Sequence, residues 1–189
     1  MTCNAHFRRY GITLKPLTAD MLETVRQWRN DPEIAKHMLD QTYITSDMQR
    51  SWFEKLEHDD SRRYWVIWFK EQPIGVASLV SIQGDASWAE PGMYIYPEQY
   101  RNNIVPFCAA FALNDFAFEQ LQLQTLVGKI YQSNEASVRF HEKSGYVEMP
   151  QDAALEVPKV EEQGLRYYIL TQNAYEAAKA PIARFIRYD

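Results

Sequence analysis

The sequence predicts an α+β fold: a central mixed sheet of about seven strands, splayed by a bulge and flanked by helices. Three observations carry this. Residues 64–96 contain three runs rich in aromatic and β-branched residues, separated by short polar segments, as in an antiparallel meander. Residues 93–146 then read as strand, loop, long apolar-faced helix, strand and short helix. Between these two patterns, Pro91 and Gly92 interrupt the third run. Proline donates nothing to a ladder and glycine weakens one, so a bulge is expected there, with the sheet splaying beside it.

A chain of 189 residues suits one domain, with a core over 12–171 and a helical tail over 173–189. Twenty Lys and Arg against 25 Asp and Glu leave a net charge of −5, which argues against a nucleic-acid surface. No apolar run approaches the roughly 18–20 residues of a membrane span. MTCNAHFRRYG has no apolar leader region, so a cytoplasmic location is expected. Cys3 and Cys108 lack metal-ligand spacing, no metal site is expected, and Cys108 reads as a buried free thiol on a helix.

In chain order, residues 12–17 alternate as a half-buried strand does. Thr18 is a candidate N-cap for a helix whose Met21, Leu22, Val25 and Trp28 face the core, ending at Arg29, Asn30 and Asp31 before Pro32. A helical turn through Met38 follows. Thr45 or Ser46 then caps a helix with Met48, Trp52, Phe53 and Leu56 as its buried stripe. Residues 64–69 (YWVIWF), 74–82 and 88–96 are the meander strands, the first two joined by a turn at 70–73. A helix over 105–121, a strand over 126–131 and a helix capped by Ser133 and closed by Gly145 come next. Residues 146–149 start another strand, 151–164 read as a loop, and 165–170 form the last strand. The tail is helical in pattern, with Pro181 kinking or restarting it. Its 177–188 portion docks either on its own core or on a second subunit as a homodimer.

Several residues have a site reading beside an ordinary one. Asn134, Ser137, Val138 and His141 share one helical face, which either meets a ligand or is a capped surface helix with a partly exposed histidine. The loop at 101–106 runs into a helix N-terminus, a place for an anionic group.

The stretch SNEASVRFHEKSGY resembles the late motif of the GNAT N-acetyltransferase superfamily. WRNDPEI, RRYWVIW and QPIGVASL resemble one branch of it. That branch holds ribosomal-protein N-terminal acetyltransferases and sugar-nucleotide N-acetyltransferases, among them the pseudaminic-acid pathway enzymes that acetylate a UDP-linked 4-amino sugar. The likeness covers about residues 12–149. It implies acetyl-coenzyme A as cosubstrate and direct transfer to a small amine, best matched by a nucleotide-linked aminosugar. A protein N-terminus or other small amine is the alternative acceptor, and a non-catalytic binding module is the alternative class. It also implies that Met93, Tyr94, Ile95 and Tyr96 bind the pantetheine arm, and that Arg101, Asn102, Asn103 and Ile104 take the pyrophosphate, with Asn134 and Ser137 nearby. The family's glycine-rich loop is replaced by Arg-Asn-Asn-Ile-Val-Pro, where Asn102 and Asn103 best tolerate left-handed backbone and Pro106 removes an amide donor.

His141 stands where relatives place a tyrosine that protonates or holds the leaving sulfur. A histidine there can exchange protons near neutrality. Glu90 is the first candidate for the base that neutralises the amine, directly or through a water held by Ser78. Arg29 and Asn30 end a helix, where an arginine complements the helix dipole; the resemblance implies instead that they lie on the acceptor side, where the arginine fork suits a phosphate or uracil edge. Trp88 and Tyr94 either stack on an acceptor ring or belong to the core.

Overall fold

The computed structural model describes residues 6–150, 153–160 and 162–188, so Cys3 lies outside the described residues, as do four positions of the 151–164 and tail segments. An eight-stranded sheet has the order β1-β2-β3-β4-β5-β6-β8-β7. Its strands are β1 (Phe7–Arg9), β2 (Ile12–Pro16), β3 (Arg63–Phe69), β4 (Gln72–Val80), β5 (Trp88–Ile95), β6 (Thr125–Tyr131), β7 (Val147–Glu148) and β8 (Leu165–Thr171). Helices are α1 (Leu22–Asn30), α2 (Pro32–Ala35), α3 (Ser46–Leu56), α4 (Val105–Asp115), α5 (Glu135–Lys143) and α6 (Gln172–Ala183). All neighbours are antiparallel except β5 and β6, which are parallel. The strand beyond the expected seven is β1. It folds onto β2 through Tyr10 and Gly11, whose φ values of 56° and 72° match the mirror-image turn that two-residue hairpins favour.

The bulge is not where the sequence put it. The β4/β5 ladder runs without a register shift through Pro91 and Gly92, which pair with Leu79 and Ser78. The irregularity lies between β3 and β4, where Ile67 faces Gly75 but Trp68 faces Pro73, so Ile74 is the extra residue. Lys70 and Glu71, both at positive φ, make the whole turn, and Pro73 belongs to β4 rather than to that turn. The expected splay nonetheless occurs beside Pro91, as described below.

Local capping also differs from expectation in two places. Thr18 makes no side-chain cap, and a tight turn over Ala19–Met21 leads into α1 instead. In α5 the cap is Asn134, not Ser133: its Oδ1 accepts from Ser137 N–H at 3.2 Å. Thr45 does cap α3, accepting from Met48 N–H, but Met48 itself is 47% exposed because it sits in the first turn, beyond the sheet's reach. The long helix is regular only to Asp115 and then widens into a π turn over Phe116–Gln120. Gly145, at φ 96°, closes α5 as expected.

Strand alternation sends two sets of side chains to two faces. One face (Ile12, Leu14, Trp65, Ile67, Ala77, Leu79, Ala89, Ile95, Leu126, Ile130) packs on α4, α6 and Phe111, Phe116 and Tyr175. The other packs Val66 and Val76 on Leu22, Val25 and Trp28 of α1, and Trp88 and Val127 on Val157. The C-terminal segment docks on its own chain: Tyr188 stacks edge-on with Phe69 at 4.9 Å and covers Gly11 so closely that a Cβ there would lie 2.4 Å from Tyr188 Cβ.

Asp115, 2% exposed, joins three distant segments. It accepts from Tyr10 Oη at 2.6 Å, Tyr175 Oη at 2.5 Å and Lys179 Nζ at 3.0 Å, tying the β1/β2 hairpin and α6 to α4. Burial, then the adjacent Asp115 carboxylate, push the Tyr10 hydroxyl up to about 12, so it stays a donor. Asp115→Ala leaves the Tyr10 hydroxyl without this partner, Tyr175 with only the Phe111 carbonyl and Lys179 with only the exposed Glu176, and is expected to cost about 3 kcal/mol in urea unfolding. Tyr10→Phe, which removes one donor to a still-paired carboxylate, is expected to cost about 1 kcal/mol.

Candidate active site

β5 and β6 touch only at their starts, where Trp88 pairs with Thr125 and Ala89 with Leu126. Beyond Ala89, β5 pairs with β4 alone and β6 with β8 alone. Tyr96 N–H bonds Ile74 O on β4 at 2.8 Å. Alternation therefore turns the peptide groups of Tyr94 and Gly92 toward β4, and those of Pro91, Met93 and Ile95 toward β6. Pro91 is the next residue whose N–H a continued β5/β6 ladder would need, and it has none. The strands part there, leaving the backbone groups of Met93 and Ile95 facing the gap. Tyr94 and Tyr96, expected to share that backbone role, have their peptide groups on the other side.

At the far end of β5, Arg101 folds back onto the strand. Its Nε donates to Ile95 O at 2.9 Å, and its Nη2 donates to Tyr96 O. Asn103 spans the start of α4: Nδ2 donates to Gln99 O at 2.9 Å, and Oδ1 accepts from Val105 N–H at 2.8 Å. Ile104 has φ −74° and packs against the core, while Asn102 is exposed. No residue of 101–106 is among those with positive φ, so the asparagines do not stand in for left-handed glycines. Of the N–H groups at this helix start, Val105's is taken and Pro106's does not exist, so a phosphate finds fewer donors than at an open N-terminus.

Across the gap, α5 presents His141. Its Nδ1 donates to Ser137 O at 2.8 Å and lies 3.3 Å from Ser137 Oγ, which fixes the tautomer with Nε2 free. The ring stacks edge-on with Tyr146 at 4.9 Å and lies over Gly128, where an added Cβ would be 3.7 Å from Nε2. Burial pushes the imidazole below its ordinary value, against the opposing effect of the Ser137 carbonyl. Asn134, besides capping α5, lies 3.5 Å from His37 Nδ1. The 36–45 segment thus reaches the α5 end of the gap.

The opposite sheet face carries Glu90, Ser78 and Arg29. Glu90 is ion-paired across the fork with Lys129 of β6 at 2.7 Å, the two side chains 19% and 16% exposed. Ser78 Oγ makes only a long contact, 3.4 Å, to Gly92 O. Gly92 is exposed, and its missing side chain leaves Ser78 uncovered, since a Cβ there would come within 2.9 Å of the hydroxyl. Arg29 Nη2 donates to Asp40 O, but Nη1 is buried without a partner. Burial raises the hydroxyls of Tyr64 and Tyr94, and both feel the Arg29 charge; Tyr64 also feels Glu90.

Three expected acceptor contacts are occupied otherwise. Trp88 is 4% exposed beneath Val157, leaving no face for a ligand ring. Tyr94 packs against α1, its hydroxyl 3.5 Å from Val25 O. Asn30 grips the backbone of Ile44 from both sides, Nδ2 to O at 2.7 Å and N–H to Oδ1 at 2.8 Å, so it anchors the 36–45 segment. Lys129 was missed, although it stands as the lone charge in the strand TLVGKIY. Among the described residues, no group of three His, Cys, Asp or Glu could hold a metal, and no helix is long and apolar enough to cross a membrane.

A mixed sheet forked between two parallel strands, with backbone groups lining the fork and a helix N-terminus at its end, defines an acyl-coenzyme A-dependent transferase fold. The chain matches the family described as Acetyltransferase (GNAT) domain over residues 12–147 and belongs to it; this is a GNAT acetyltransferase, and its cosubstrate is acetyl-coenzyme A. It is 24% identical over 140 residues to acetyltransferase PseH of Campylobacter jejuni, covering 72% of this chain and 83% of that one. The structure of spermidine N-acetyltransferase from Vibrio cholerae, with CoA and spermine, is similar at a TM-score of 0.75 and 22% identity, over 89% of this chain and 99% of that one. The apo structure of FdhC, described as a nucleotide-linked sugar GNAT, is similar at 0.73 and 20% identity, over 97% and 99%.

Asn30→Ala removes two hydrogen bonds worth about 1 kcal/mol each. The Ile44 amide should then exchange with deuterium roughly tenfold faster or more, with amides of β3 unchanged. Unaltered exchange at Ile44 would show that the 36–45 segment is held by other contacts.

Proposed function

We propose that the protein acetylates the amino group of an anionic small molecule, best matched by a nucleotide-linked aminosugar, by direct transfer. The observation that carries this reading is the buried, partnerless Nη1 of Arg29 on the acceptor face. An unpaired buried guanidinium nitrogen is costly, and a phosphate or uracil oxygen would satisfy it. A polycation such as spermidine would meet the Arg29 charge, and a neutral amine would leave Arg29 unanswered. The name of the FdhC relative points the same way.

Acetyl-coenzyme A supplies the acetyl group as a thioester. The groups facing the fork fit its pantetheine arm: Met93 offers its backbone groups and Ile95 its N–H there, and a cleft-facing amide is suited to an oxyanion. Glu90, on one face, accepts the proton that leaves the attacking nitrogen as the C–N bond forms, directly or through a water on Ser78. His141, on the other face, stands by the sulfur released when the C–S bond breaks. Because Nδ1–H is committed to Ser137, His141 can give a proton only from Nε2, and only as imidazolium. The loop 101–106 is the weaker part of the site, because its helix start has fewer free N–H groups.

Calorimetric titration with acetyl-coenzyme A, followed by turnover assays with a UDP-linked 4-amino sugar, spermidine and a peptide N-terminus, tests this reading. Micromolar binding and selective turnover of the sugar nucleotide are expected. Turnover of spermidine or the peptide alone would overturn the acceptor.

The imidazolium fraction falls as pH rises through a value below the ordinary 6.5, so His141 contributes little as an acid at pH 8. His141→Tyr restores a hydroxyl protonated throughout that range. It should therefore exceed the parent kcat at pH 8, while His141→Ala lowers kcat mainly below pH 6.5. A parent profile unchanged by both substitutions would remove His141 from the reaction.

A further inference from the structure

We infer that Lys129 is a positioning residue for the reaction: it takes one oxygen of the Glu90 carboxylate across the fork and leaves the other aimed at the incoming amine. This rests on the reading of Glu90 as the base.

The geometry is specific. Alternation places Glu90 two residues beyond Trp88 and Lys129 two residues beyond Val127, all on one sheet face. Glu90 is the first residue of β5 past the last pairing with β6, so its side chain stands where the two strands begin to part. Lys129 lies on the diverging part of β6 and leans back across the opening to bring Nζ to 2.7 Å from Oε2. No other polar contact is made by either side chain among the described residues, so Oε1 carries no protein partner. Tyr64 of β3 feels the Glu90 charge, together with those of Arg62, Arg29 and Asp59.

A carboxylate with two equivalent oxygens and free rotation presents its lone pairs over a wide arc. Tying Oε2 to an ammonium from the neighbouring strand narrows that arc and leaves Oε1 unpartnered on the sheet face that Ser78 and Gly92 share. The pair also gives a largely buried carboxylate a counter-charge of its own. Its place on β6 couples the carboxylate to the strand that carries Gly128, and hence to the His141 side of the fork. A purely structural ion pair would stitch the strands equally well but would not matter to turnover once the protein had folded.

The experiment compares Lys129→Met, Lys129→Gln and Lys129→Arg with Glu90→Gln, first checking each for native melting. Turnover is measured with acetyl-coenzyme A and a UDP-linked 4-amino sugar. Where no acceptor is turned over, it is measured as slow hydrolysis of acetyl-coenzyme A, in which water replaces the amine before the same carboxylate. Lys129→Met and Lys129→Gln are expected to lower kcat by roughly 100-fold, the scale of a misplaced catalytic group, with KM for acetyl-coenzyme A unchanged. Lys129→Arg, which keeps a charged donor, should recover most of the loss. If either neutral variant folds and keeps the parent kcat, or if the arginine variant is as impaired as the methionine one, the positioning role is wrong. A fully active Glu90→Gln would instead remove the base reading itself, whereas an inactive Glu90→Gln beside a fully active Lys129→Met would overturn the role of Lys129 alone.

Discussion

The site depends on one missing hydrogen-bond donor. β5 and β6 are parallel neighbours that begin to pair and stop after Ala89, and the next cleft-facing position is Pro91. A proline in a central strand would normally argue against that strand. Here it sits where the ladder must end, while its other edge stays in register with Leu79 on β4. The result is a sheet continuous across β4 and β5 but open between β5 and β6. The backbone groups of Met93 and the N–H of Ile95 line that opening, the Ile95 carbonyl being taken by Arg101. Buried backbone groups seek partners, and a ligand with amide and carbonyl groups of its own can supply them.

Strand geometry then divides the chemistry. Neighbouring residues of β6 point to opposite faces: Gly128 makes room for the His141 ring, and Lys129 reaches Glu90. Two groups suited to opposite ends of an acyl transfer are therefore indexed by adjacent residues of one strand, on either side of the same opening. His141 is held from behind by its own helix through the Ser137 carbonyl, and Glu90 is held from across the fork.

Much of this fold was readable because its signals are local. YWVIWF, the capping Thr45, the closing Gly145 and the extended run before the loop all act over a few residues. The bulge was misread for a physical reason. Both Pro73 and Pro91 interrupt strands, and which one shifts the register depends on which edge of the strand each turns to its neighbour, a long-range property. The aromatic residues show the same limit. Trp88 and Tyr94 carry identical signals whether they stack on a ligand or on the core, and only the cover supplied by Val157 and α1 decides it. Asn30 likewise looks like a polar site residue until Ile44, fourteen positions on, is seen to occupy both ends of its amide. The family resemblance brought Arg29 and His141 forward; the ion pair that gives Lys129 its role exists only in three dimensions.

The phosphate loop shows how one structural gain excludes another. A helix N-terminus offers its free N–H groups either to its own side chains or to a ligand. Asn103 takes the Val105 N–H and braces Gln99, and Arg101 ties the preceding turn to the last carbonyls of β5. Together they hold the loop rigid with no left-handed residue, a conformation that Ile104 and Pro106 can adopt and a glycine loop does not need. The same contacts use up donors that an open loop would present to a diphosphate. The groups left open lie more in the fork, at Met93 and the Ile95 N–H, than at the helix end. The donors that remain for a ligand therefore favour an amide-bearing arm in the fork over a diphosphate at the helix start.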